Sequence, residues 1–347
     1  MSSLIPLKRK SMDDSQACPL LSPHVSNSDP PSRTQSPVGR RVTEDGSIHS
    51  IICNNPRRRL YVKPIAWTSE HLQFLGCSFN LQRAPRTKGP IKTPDQVGSR
   101  SQRSQHAKRI KLQLGLPSTL TVKKFAAQEI LEAYDLRPQG QERLWFQFNH
   151  QHVANLPTDG IFASKDTPSI LAFVTFETIQ SLRQRHVRPS KSATVCLLNM
   201  KRKKLKLLEP LNPAEDPYLV AMLIALAQDQ RRQQQQKVQD TSTTTDVTSL
   251  KKSQQHCECM DQMVPCFAKS FKKVKILAIT GVLAKYLYVY TATIPTAFLD
   301  KFDEPLRYSP SDPITVTYCR ISVIEETSLE RLHSLLCTGS CSFCGGD

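Results

Sequence analysis

Asp216-Pro217-Tyr218-Leu219-Val220-Ala221-Met222-Leu223-Ile224-Ala225-Leu226-Ala227-Gln228 is the stretch on which the reading of the fold turns. An acid followed by proline starts a helix: the carboxylate caps free N–H groups, and proline fits the first helical position, where its missing donor is not needed. From Leu219 to Ala227 the helix is apolar on nearly every face, and a helix of that kind is buried. It emerges as Gln228-Asp229-Gln230-Arg231-Arg232 and the glutamines 233–236, polar all round.

Strands stand on both sides of it. Upstream, Leu144–Phe148 reads as a strand, and Ile170–Phe176 is a nearly continuous apolar run of buried-strand length. Downstream, Val274–Thr280 and Tyr286–Ile294 form a strand pair with Gly281 in the connection. Pro313–Val323, rich in β-branched residues, is a third strand, and Ser328–Leu336 a short amphipathic helix. Lys123–Tyr134 has helical spacing, with Phe125, Ala126, Ile130, Leu131 and Tyr134 on a broad apolar face. Residues 193–198 and 205–208 flank Lys201-Arg202-Lys203-Lys204 and read as two strands joined by a basic turn. The expectation is an α+β fold: a single interrupted core of about five to seven strands with a buried helix, after a long disordered basic N-terminal region.

Residues 1–50 read as a disordered N-terminal tail, because Ser, Pro, Asp and Arg with few apolar residues cannot offset the entropy of ordering. Residues 51–83 read as a short ordered segment packing on the core. Leu60-Tyr61-Val62 is a short strand there, and Thr68 or Ser69 caps a helix carrying Leu72, Phe74, Leu75 and Phe79. Residues 84–118 form a basic linker, and 119–236 the N-terminal half of the core. A polar insertion at 237–268 separates this from the C-terminal half of the core at 269–336, and 337–347 is a Cys-rich tail.

The chain has 347 residues with 47 Lys and Arg against 30 Asp and Glu, a net +17. Residues 1–120 hold 19 of the cations and only 7 of the acids. A flexible basic arm on a nearer-neutral core points to nucleic acid, acidic proteins or the import machinery; solubility is the plainer reading. Lys108-Arg109-Ile110-Lys111-Leu112, following Ala107, resembles the short import signal Ala-Lys-Arg-Val-Lys-Leu. Lys201-Arg202-Lys203-Lys204 is a second import candidate and Lys8-Arg9-Lys10 a third. Tyr286, Tyr288 and Tyr290 fall on one face of a strand, a spacing at which aromatic rings stack bases. More often such a stripe packs on a helix or covers a sheet.

No membrane partner is expected, since the apolar run Ile276–Phe298 is broken by Gly281, Lys285 and Pro295. The start lacks an apolar signal region before Lys8, so the eleven cysteines are expected to stay reduced. There is no P-loop, Gly-rich dinucleotide turn, paired-histidine zinc helix or nucleophile elbow, and Gly is scarce at 12 residues. No cofactor is expected. Cys337, Cys341 and Cys344, with His256, Cys257, Cys259 and Cys266, offer thiols to zinc, but the Cys-x-Cys spacing is atypical and the expectation is no metal. Asp300, Asp303 and Glu304 alternate with Lys301 ahead of Pro305 and read as a solvated turn before an acid–base pair.

Residues 216–228 and Leu287–Asp300 resemble segments of a lineage-specific family of filamentous-fungal proteins with no assigned activity. The likeness spans about residues 190–325 and rests on core-like patterns. It implies a buried helix followed by a strand pair, and no catalytic residue. The leading expectation is therefore a non-catalytic nuclear interaction protein whose basic N-terminal third contacts nucleic acid or acidic partners non-specifically. Two alternatives stand beside it: an enzyme with a non-local active site in the core, and a scaffold whose basic arm serves only localisation. Without nuclear import the protein would be cytoplasmic.

Overall fold

Residues 42–85, 100–164, 171–187, 195–243, 271–281 and 284–337 are described by the computed structural model, with backbone alone at 100–107, 238–243 and 337. In chain order the helices are α1 (Ile48–Asn54), α2 (Ser69–Leu75), α3 (Arg100–Gly115), α4 (Leu120–Ala133), α5 (Phe176–His186), α6 (Val195–Leu208), α7 (Pro217–Thr243), α8 (Thr296–Asp303) and α9 (Ser328–Cys337). The strands are β1 (Cys77–Gln82), β2 (Arg137–Pro138), β3 (Arg143–Phe148), β4 (Gln151–Pro157), β5 (Gly160–Ala163), β6 (Leu171–Thr175), β7 (Phe271–Ile279), β8 (Tyr286–Pro295) and β9 (Ile314–Ser322).

Seven strands make one mixed sheet in the order β1-β9-β8-β7-β6-β5-β2, and β3–β4 is a separate hairpin. The β1–β9 and β6–β7 pairs are parallel, the others antiparallel. The fold is α+β, as the sequence pattern indicates. Helix α7 explains the apolar run: Tyr218 to Ala227 are all at most 1% exposed. The helix lies between one face of the sheet and the β3–β4 hairpin, so no side of this stretch meets water. On β7, Ile276 and Ala278 point to the α7 face, while Leu277 and Ile279 point to the other. That second face is covered by α3, α4 and α9 through Ile110, Leu114, Ala126, Ile130 and Leu332. Covered on both sides, β6 and the stretch Val274–Ile279 of β7 are buried throughout.

Local chemistry sets the helix ends. The Asp216 carboxylate accepts the Tyr218 N–H at 2.9 Å at the start of α7. It also takes a fork from Arg183 of α5, with one contact at 2.6 Å, and both side chains are almost fully buried. Such a pair survives burial because its geometry is bidentate and the Tyr218 N–H adds a further bond. Lys275 of β7 donates to the Leu335 carbonyl at 2.9 Å, placing a cation on the last turn of α9. Gly76 ends α2 in the left-handed region at φ 67°, where a glycine costs least.

Several expectations give way. The expected tail extends to residue 50, but order begins by Val42: Ser47 caps α1, and Glu44 and His49 donate backbone bonds to Leu306 and Pro305. Residues 1–41 lie outside the described residues. Leu60-Tyr61-Val62 is a bend, not a strand, and α2 stops before Phe79, which sits on β1. The expected linker contains α3, whose only deeply buried described residues, Ile110 and Leu114, are one turn apart and pack on α4. On α4 itself Phe125 is 62% exposed, and Lys123 is buried in its place. Residues 195–208 are one helix rather than two strands and a turn. Leu198, Leu205 and Leu208 recur at helical spacing, and Leu, Met, Lys and Arg are good helix formers. The polar insertion begins later than 237, since α7 runs on to Thr243.

Candidate functional site

Two features stand out among the described residues: an apolar cavity and a cationic helix. The cavity, of about 360 Å³, lies between the segment 48–75 and the β3–β4 hairpin. A 3-10 turn at Pro64–Ala66 turns the chain so that Trp67 enters the core, with its ring edge-on to Phe146 at 5.5 Å. Phe146 in turn meets Phe302 of α8 edge-on at 5.4 Å, and Phe148 meets Tyr61 at 5.8 Å. Edge-to-face pairs at these distances are favourable, so the walls hold one another from separate segments of the chain.

His71 is the polar member of this wall. It is the third residue of α2, and its Nδ1 accepts the Thr68 N–H at 3.0 Å, completing a capping box. An Nδ1 that accepts leaves the ring proton on Nε2. Nε2 is buried without a hydrogen-bond partner, although the Arg59 and Leu60 backbone lies close to the ring. Burial lowers the His71 pKa from its usual value, against the smaller upward pull of the Arg59 backbone and the Glu70 carboxylate. The imidazole is thus held neutral, stacked on Trp67 at 5.9 Å. Lys63 is exposed at the rim. Sequence reading misses this site because its wall draws on four separated segments; the one local signal is Trp67, His71 and Phe74 crowded within eight residues.

The cationic helix is α6. Arg202, Lys203, Lys204 and Lys206 are exposed and Lys201 is half-buried. The helix contains no acid and no buried residue, and none of these cations is in an ion pair among the described residues. Val195 at 75% and Leu207 at 76% exposed add apolar surface to the same helix. The second import candidate therefore sits on a helix that touches α5 and has no buried residue.

The first import candidate is differently placed. Lys108, Arg109 and Leu112 are exposed on α3, but Ile110 is buried and Lys111 donates to the Glu325 carbonyl at 2.9 Å and to that of Glu326. The expected accessible linker is a docked helix at this point. Lys8-Arg9-Lys10 lies outside the described residues.

The tyrosine stripe runs from the edge into the core. Tyr286 is half-buried under the Arg320 guanidinium, 4.5 Å from its ring. Tyr288 is half-buried, edge-on to Phe176 and stacked on Tyr290. Tyr290 is fully buried, donates to the Ala214 carbonyl at 2.8 Å and stacks on Tyr318. Tyr290 has no face left for a base, so the packing reading applies to it.

Asp300 and Asp303 are on α8, where both pair with Arg231 of α7, Asp300 at 2.8 Å. They fasten two helices rather than form a solvated turn, while Glu304 meets Arg307 at 3.4 Å. His256, Cys257, Cys259, Cys266, Cys341 and Cys344 lie outside the described residues, as does the Cys337 side chain. Among the described residues no three His, Cys, Asp or Glu converge as a metal site, and no helix is long and apolar enough to cross a membrane. Comparison with protein families, with curated proteins and with solved structures finds no match to this chain.

Proposed function

We infer that the chain is a non-catalytic nuclear interaction protein, in which an α+β body carries cationic surface for polyanionic partners, nucleic acid first among them. The observation that carries this reading is α6: five cations within residues 201–206, without an acid on the helix and without ion-pair partners among the described residues. The 19 cations of residues 1–120 extend the same chemistry. Phosphates attract such surface through counterion release, which needs no fixed geometry and reads no sequence. Nothing in α6 orders the side chains for base edges, so the contact is non-specific. The resemblance to a filamentous-fungal family adds no activity to this reading.

The test is binding of a mixed-sequence DNA duplex to the full chain over a salt series. Weak binding is expected, with Kd on the order of 10⁻⁴–10⁻⁶ M near physiological salt and a steep loss as salt rises. Replacing the exposed Arg202, Lys203, Lys204 and Lys206 with Ser is expected to reduce the slope of log K against log salt by up to ~4. An unchanged slope would remove α6 from the contact, and no binding at low salt would end the nucleic-acid reading in favour of a protein scaffold.

A further inference from the structure

We propose that the cavity between segment 48–75 and the β3–β4 hairpin is a binding site for a neutral, largely apolar small molecule that carries one hydrogen-bond acceptor. Three observations combine. The first is size: about 360 Å³ falls within the range of small-molecule sites, roughly 300–1,000 Å³. The second is the wall. Trp67, Phe146, Phe148 and Phe302 present rings that brace one another, so the space cannot close by rotating a single side chain. Flat apolar molecules fit among ring faces and edges.

The third observation sets the polar group. His71 is more than nine-tenths buried on this wall, and its Nε2–H makes no hydrogen bond of good geometry, although the Arg59 and Leu60 backbone lies close to the ring. A buried donor left unpaired is costly, and an incoming acceptor recovers that cost on binding. Because Nδ1 is committed to the Thr68 N–H, the ring cannot turn over to become an acceptor without breaking the α2 cap. The ligand must therefore bring the lone pair: a carbonyl or an ether. A charged group deep in this wall would meet no counterion and lose its hydration, which excludes an anion in that position. The one lysine of the lining, Lys63, is exposed to solvent. The site is independent of the cationic helix.

The experiment titrates the full chain with 2-acetylnaphthalene and, in parallel, with 2-isopropylnaphthalene, which has a similar shape and no acceptor. Saturable binding of the ketone at one per chain is expected, about tenfold tighter than the hydrocarbon. Two variants separate the wall from the donor. Ala154→Leu, opposite Phe146 on β4, fills the cavity without touching the cap; it is expected to weaken both ligands at least tenfold while the unfolding midpoint holds. His71→Phe keeps a ring and loses the donor, together with the Nδ1 that caps α2; the preference for the ketone is expected to disappear. If His71→Phe fails to fold, the paired ligands and Ala154→Leu decide alone. The proposal is overturned by equal affinity for the two naphthalenes, by absence of saturable ketone binding, or by Ala154→Leu binding like the unmodified chain.

Discussion

His71 gives its two nitrogens separate tasks, and pH tells them apart. Nδ1 holds the Thr68 N–H, and burial lowers the ring's pKa below the ordinary value of 6.5. As pH falls, the unfolded chain therefore takes up a proton before the folded one does. The contribution to stability is fully present above the unfolded value, and is lost as pH drops from there toward the lower folded value. The urea midpoint of the full chain is expected to decline between about pH 7 and pH 5. His71→Gln, which retains a cap acceptor at this position, is expected to show a shallower decline. Equal declines in the two proteins would place the proton uptake on another residue. Gln at this third helical position is an ordinary capping-box partner for Thr68. Histidine there is unusual, which is one reason the sequence marks a helix start at Thr68 but not the cavity behind it.

At the level of elements, the join between α5 and α7 is the most exposed to single substitutions. Asp216→Asn leaves the α7 cap partly intact, because an amide oxygen still accepts from Tyr218 N–H. It also leaves the Arg183 guanidinium charged and buried without its counterion. The expected cost is about 3–5 kcal/mol in chemical denaturation, well above the ~1 kcal/mol typical of losing a cap. A cost near the smaller figure would show that Arg183 moves out to water.

The start of α7 is legible from Asp216-Pro217, and its burial from nine apolar residues in a row, because both signals are local. Strands β6 to β9 are legible for the same reason. Helix α3 is not: two buried side chains, Ile110 and Leu114, are its described apolar anchorage, and a largely polar stretch with its few apolar residues confined to one end reads as linker. Helix α6 is easily misread because Lys201–Lys204 resembles a turn, and only the leucines on either side carry the helical period. Strand β1 is invisible in isolation; Cys77–Gln82 becomes a strand because β9 lies beside it.

On the scale of the whole molecule, charge and order are arranged so that accessibility distinguishes the basic clusters. Of the two clusters within the described residues, the one on α3 is docked by Ile110 and Lys111, whereas α6 buries no residue. For a fluorescent fusion of the full chain we expect nuclear accumulation to survive Lys108→Ala with Arg109→Ala. It is expected to fall when Lys201, Arg202, Lys203 and Lys204 are changed together to Ser. The reverse ranking would mean that α3 undocks to be read, and no effect of either would leave residues 8–10 as the remaining candidate. The parallel pairing of β1 with β9, Cys77 against Ile314 through Gln82 against Cys319, also has a consequence for biosynthesis. At translation speeds of about 5–20 residues per second, the ribosome takes on the order of 10–50 s to pass from β1 to the end of β9. In the latter part of that interval the apolar stretch of α7 has been made, while the sheet strands β7, β8 and β9 that follow it have not. The nascent chain carries that apolar surface uncovered until the later strands emerge, the condition under which incomplete chains aggregate.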